Sequence, residues 1–284
     1  ESGAVPPQPR PRAPPPPRRA AMSHDGALTD LEARATEYVG PYVDIYFKKI
    51  THWETHHFLA FAVIITVTCE LIVSSFPLLF GLCARVQMSP KLHLDKFTLK
   101  DKAFILFNKI SIVVYAHHMF LLLNASEHVK WKVTEATIAN TVLVVVPMYL
   151  LYDLVYAVYH KMLHMRCIYG YVHKHHHRQA APSRGHYDAI NVHPIEFLLG
   201  EYLHLFVFWC IPCHIFAVGL FFTGAIILAN LNHTRYDFCI PGIYDAKDHL
   251  VHHRVPDTNF GQYTMFWDKV FGWHRGWNQL SKSS

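Results

Sequence analysis

Four long apolar runs constrain this chain more than anything else in it. His57 to Cys83 carries one formal charge, Glu70, and exceeds the ~20 residues that carry an α-helix across a bilayer. Ala103 to Leu123 is a second run, interrupted by Lys109, His117 and His118. Ala136 to Tyr159 is a third, with Pro147 inside it. Phe197 to Leu231 spans 35 residues, too long for one crossing, so a helical hairpin turning near Pro212 and His214 is expected. Pro77 is expected to kink or end the first run, and Pro147 to kink the third. Hydrophobic residues make up 51% of the chain and charged residues only 17%. These runs predict an all-α integral membrane bundle of about four to five spans.

Histidine clusters sit at the ends of the spans. His160 and His164 are spaced i, i+4, one helical turn apart. His173, His176 and His177 stand at i, i+3 and i+4, as do His249, His252 and His253. If each cluster is helical, its members share a face, and His175 points elsewhere. A lone His on a helix is ordinary. Eight at ligand spacing predict a helical His-rich cap, on one side of the membrane, that holds a dinuclear metal site.

The remaining segments are less informative. Residues 1–26 form a Pro/Arg-rich tail without an apolar face and are expected to be disordered. Residues 27–56 read as an amphipathic lead-in, and residues 57–284 as the membrane domain that carries the His boxes. Net charge is +5, but no basic stripe with a nucleic-acid reading motif accompanies it. The six cysteines form no framework. Cys210 and Cys213 spell C-x-x-C without a second pair, so buried thiols are expected.

Together these boxes resemble the fatty acid hydroxylase/sterol desaturase superfamily of membrane-bound di-iron enzymes, whose pattern is H-x(3–4)-H, H-x-x-H-H and a distant H-x-x-H-H. Asp153 and Tyr156 before the first box, Asn191 to Glu196 after the second, Asn232-His233, Asn259-Phe260-Gly261, Trp267-Asp268 and Phe271-Gly272 add to the likeness. It covers roughly residues 100–275. Two positions depart from the family pattern, Leu250 inside the last box and Trp273 after Phe271-Gly272. Neither is an expected ligand.

The resemblance implies metal ligation by His160, His164, His173, His176, His177, His233, His249, His252 and His253. His193 is either a tenth ligand or a donor to a ligand ring. Asp153, Glu196, Asn232, Asp237 and Asp248 are candidates to orient ligand rings. Imidazole suits iron, zinc and copper, and nine or ten rings exceed the four ligands of a structural zinc. Two iron ions and O₂ are therefore the implied cofactors. The implied reaction is hydroxylation or desaturation of a sterol or fatty acyl chain. Electrons would come from cytochrome b5 with an NAD(P)H reductase, since residues 1–50 lack a b5 heme-ligand pattern. The endoplasmic reticulum, with the boxes facing the cytosol, is the implied location.

Three rival readings remain open at this level. A soluble-type di-iron bundle needs Glu-x-x-His pairs, a spacing that Glu54/His57 and Glu201/His204 show. The others are a membrane heme redox protein and a non-enzymatic metal-binding membrane protein.

Overall fold

A computed structural model describes residues 37, 54–87 and 96–280. The expected tail at 1–26 and nearly all of the expected lead-in at 27–56 lie outside the described residues. Within them the chain is helical, with four two-residue strands that form two β pairings as local clasps.

Helix α1, Thr55–Ser74, starts at a capping box formed by Glu54 and His57. It breaks at Ser75, and a further turn, Phe76–Phe80, begins with Pro77 in its first positions, where a residue without an N–H costs nothing. Helix α2, Leu99–Ala125, is capped by Thr98 and Asp101, which bond each other's backbone N–H reciprocally. Helix α3, Val145–Leu163, follows a π-helical turn at Ala139–Leu143. Pro147 has no N–H to return to the preceding turn, and the wide turn falls just before it.

With their extensions, these three helices run for 26, 27 and 25 residues and are long and apolar enough to cross a membrane. Their outer faces expose large apolar side chains such as Ile64, Leu71, Leu106, Ile110 and Val146, as helices in contact with lipid do. The fourth run folds back on itself as expected. Helix α4, Pro194–Cys210, and helix α5, Ile215–Leu231, are joined through Ile211–His214. At 17 residues each they rise about 26 Å, short of a ~30 Å hydrocarbon layer. Among the described residues the bundle is therefore three full-length helices and one shorter hairpin.

The hairpin tip is clasped from outside. Strand β1, Val129–Lys130, pairs in parallel with β2, Cys213–His214. The Cys213 N–H donates to His128 O at 3.0 Å, and the His214 ring to Lys132 O at 3.0 Å. A core of Met148, Tyr152, Val207, Phe208, Ala217 and Phe221 joins α3 to the hairpin. Glu70 and Lys109, the charges isolated in the first two runs, meet at 2.9 Å between α1 and α2. An unpaired charge at membrane depth would cost several kcal/mol, so the pairing sets the helices' register. Of the cysteines, Cys213 alone is buried, and Cys167, Cys210 and Cys239 are exposed; the expectation of buried thiols fails for these.

Past α5 a clasp of β3, Cys239–Ile240, and β4, Tyr244–Asp245, leads into helix α6, Ala246–Arg254, which carries the third box. The loop after α6 returns over the end of α3, and so brings all three boxes together.

Candidate metal centre

The second box is not α-helical. His173–Arg178 is a 3-10 helix with three residues per turn, so His176 eclipses His173 while His177 is turned by about 120° from both. The expectation that its three ligands share one face is thereby corrected, and the box serves two clusters. His160, His164, His173, His177 and His252 place their ligand nitrogens within 4.8 Å of one another. His176, His233, His249 and His253 do the same beside them. All nine expected ligands lie in these two groups, which abut through His177 and His253 at 4.9 Å between ring centroids.

The hydrogen bonds decide what the rings offer. His160 Nδ1 donates to Phe260 O at 2.9 Å, and His252 Nδ1 to Thr258 O at 2.7 Å. His233 Nδ1 donates to Ala229 O at 2.9 Å. A carbonyl only accepts, so in each ring the proton is on Nδ1 and the lone pair on Nε2. His173 Nδ1 meets the Glu196 carboxylate at 2.7 Å, which fixes its tautomer likewise. Yet His160 Nε2 faces His173 Nε2 at 3.1 Å. Two lone pairs at that distance repel unless a cation lies between them. Two ligands at right angles on one ion, each about 2.1 Å from it, stand about 3.0 Å apart. His177–His173, His252–His177, His249–His233 and His253–His249 show Nε2 separations of 3.0, 3.1, 3.1 and 3.1 Å. The rings present thus fit metal ions, one in each cluster. Rings this close leave no slot for a porphyrin.

Burial first, and the neighbouring rings second, hold the His173, His252 and His253 side chains well below the usual imidazole range. His164 is pushed down to about 3 by burial, with His160 and Lys161 adding to it. The rings are thus neutral, the form that binds a metal.

The acidic and amide candidates fare differently. Only Glu196 touches a ligand ring. Asp153, on α3 two turns before His160, accepts the backbone N–H groups of Gln262, Tyr263 and Thr264 at 3.2, 2.9 and 2.6 Å. Asp268 takes those of Phe260 and Gly261 at 2.6 and 2.8 Å. Both carboxylates therefore hold the loop whose Phe260 carbonyl aims His160. Asn232 bonds Gln262 O and Tyr244 Oη at 2.8 Å each. Asp237 pairs with Lys247 at 2.7 Å, and Asp248 with His274 at 3.3 Å. His193 lies in neither cluster: its Nδ1 accepts from the Ile195 N–H at 3.2 Å and so caps α4. His175 does point away, to Asn191 at 2.9 Å and Asp101 at 3.0 Å. The three backbone carbonyls that orient rings have no signature in a sequence.

The C-terminal Asn259-Phe260-Gly261 motif has a backbone reason. Asn259 sits at φ 56° and donates to Asp248 O and Arg275 O at 2.8 and 2.9 Å. A Cβ on Gly261 would lie 2.4 Å from Thr264 O, so no larger residue fits.

Below the clusters runs a cavity of about 860 Å³ with mostly apolar walls. It follows α5 from Ile215 to Asn230, about 22 Å of helix. Trp131, Ile215 and Phe216 line it at the hairpin tip; His176, His233 and His249 line it at the cap. The four-histidine cluster therefore faces the cavity, and none of the five-histidine cluster lines it.

Comparison with known proteins gives one family model, fatty acid hydroxylase, matching residues 145–273. Curated relatives include "Cholesterol 25-hydroxylase-like protein 1, member 2" of Danio rerio, 31% identical over 44% of this chain and 48% of the relative. "Fatty acid hydroxylase ahd1" of Mycosarcoma maydis is 34% identical over 39% and 28%. "Lathosterol oxidase" of Rattus norvegicus is 30% identical over 40% and 38%. The chain spans less than half the length of these relatives. No solved structure matches it significantly.

Proposed function

Through residues 145–273 the chain belongs to the fatty acid hydroxylase/sterol desaturase superfamily, and on that premise we propose that it is a membrane-bound di-iron oxygenase that hydroxylates or desaturates a lipid. The observation that carries this reading is the junction of two nitrogen-only clusters with a long apolar cavity. His160, His164, His173, His177 and His252 would hold one iron, and His176, His233, His249 and His253 the other. Iron so bound supplies the O₂-dependent oxidation of an unactivated C–H bond, with electrons from a separate donor such as cytochrome b5 and its reductase.

The chain's own residues do the rest. Carbonyls of Phe260, Thr258 and Ala229 and the Glu196 carboxylate keep the coordinating nitrogens deprotonated. The cavity walls exclude water and take up an extended apolar body, while Trp131 and the clasped hairpin tip limit its depth. The smaller, cavity-facing cluster is where the lipid is oxidised; the larger has no ring in the cavity wall. Metal sites that do chemistry keep an open position, and closed ones do not. We assign the clusters to one membrane face, on the cytosolic side of the endoplasmic reticulum, a reading that the short hairpin beneath them supports.

Lipid profiling of cells expressing wild type against His176→Ala tests the reading. A lipid with one added oxygen, or with two hydrogens removed, is expected only with wild type. Identical profiles in cells supplied with candidate lipids and cytochrome b5, together with an iron-free purified protein, would sink it.

A further inference from the structure

Inside the cavity, apart from the metal-binding rings, lies a second polar group of residues. His204 follows Glu201 by three residues on α4, and its Nδ1 donates to the Glu201 carbonyl at 2.9 Å. That fixes the lone pair on Nε2, which accepts the Tyr263 hydroxyl at 3.2 Å. The Tyr152 ring stacks on His204 at 4.3 Å. His204 is thus fully engaged, but two acceptors beside it are not. The Tyr263 oxygen has donated its proton and keeps its lone pairs. The Glu201 carboxyl has His204 Nδ1 at 4.0 Å, beyond hydrogen-bond reach, and its side chain stays 26% accessible. Among the described residues none donates to it.

The other charged groups of the lining sharpen this. Among the described residues that line the cavity there is no Lys or Arg, and there are three carboxylates, Glu70, Glu196 and Glu201. Glu70 is occupied by Lys109 at 2.9 Å and His186 at 2.7 Å, and Glu196 by His173. Glu196 keeps its Oε2 unpaired, but of the three only Glu201 has neither carboxyl oxygen engaged among the described residues. Such a wall offers no cation to pair a carboxylate or phosphate head group, and it accepts a donor.

We propose that Glu201 and Tyr263 form an acceptor site that selects a neutral lipid bearing a hydroxyl, over a free fatty acid or a phosphate-bearing lipid. The hydroxyl donates to the Glu201 carboxyl, with one part of the lipid reaching the four-histidine cluster at the cap and the rest lying along the apolar walls toward Trp131. Glu201 lies five residues past Glu196, about 7–8 Å farther along α4 from the cap. This rests on the cavity being the substrate site, as read above.

Equilibrium binding to the full chain in detergent micelles tests it, with tritiated 1-hexadecanol, hexadecanoate and 1-methoxyhexadecane as probes. Wild type is expected to bind the alcohol about 10- to 100-fold tighter than the methyl ether, the range for a hydrogen bond to a charged group. It should reject the acid at least as strongly. Glu201→Leu should erase the preference for alcohol over ether. Glu201→Gln, which keeps a carbonyl acceptor and the side-chain shape, should retain part of that preference while binding the acid several-fold better than wild type does. Equal binding of all three probes by wild type, binding of none, or an unchanged preference in Glu201→Leu would overturn the proposal. So would acid binding unchanged in Glu201→Gln, which decides the matter if the leucine variant does not fold. Alcohol-selective binding with no oxidised product would leave this site standing and sink the oxygenase reading. Oxidation without alcohol preference would do the reverse.

Discussion

The five-histidine and four-histidine clusters use the same ligand atom and similar spacing, yet their surroundings differ. In the larger cluster His160, His173 and His252 each have the second ring nitrogen held by a carbonyl or a carboxylate. In the smaller, His233 is held that way; the Nδ1 atoms of His249 and His253 there, and of His177 in the larger, are buried without partners among the described residues. The smaller cluster lines the cavity and the larger does not. The smaller cluster is wholly buried and meets the cavity, whereas the larger stays off the cavity and keeps His164 partly exposed. The difference teaches that ligand count alone does not identify the working site; access does.

The comparison can be broken most directly by deleting one ring from each cluster. His176→Ala is expected to lose about one iron per chain and to lower product formation by more than 100-fold, as measured by metal analysis and lipid turnover. His164→Ala leaves four rings in its cluster and is expected to keep most of its iron. Equal losses in the two variants would mean the clusters act as one unit. Next in size, Glu196→Gln weakens the hold on His173 and should reduce metal affinity by roughly 10–100-fold, read by chelator competition; an unchanged affinity would remove Glu196 from the site.

Two smaller effects concern the scaffold around the larger cluster. Gly261→Ala forces a Cβ against a backbone oxygen, and should cost about 1–3 kcal/mol, the range for overpacking. A lower Tm, with iron lost in parallel, would link that loop to His160. His193→Ala removes a helix cap and should cost about 1 kcal/mol with metal content unchanged. Loss of iron in His193→Ala would restore it as a ligand candidate.

All nine clustered histidines were legible from spacing and family resemblance, because ligand sets recur at helical intervals. The residues that aim them were mostly not. Asp153 stands two turns before His160, as if to orient it. It instead binds three backbone N–H groups of a loop more than a hundred residues later in the chain. Asn232 and Asp248 are diverted in the same way to Tyr244 and His274. Glu70 and Lys109 read as separate interruptions of two spans, and become a pair once α1 packs on α2.

Local pattern alone determined the apolar runs, the hairpin with its turn near Pro212, and the histidine boxes. Each of these follows from composition and period within a short window. Tertiary structure decided how the second box splits between two clusters, which cluster meets the cavity, and that Glu201 keeps its carboxyl unspent. Those outcomes depend on backbone carbonyls and on partners brought from distant elements by packing, and neither is written in the spacing of side chains along the chain.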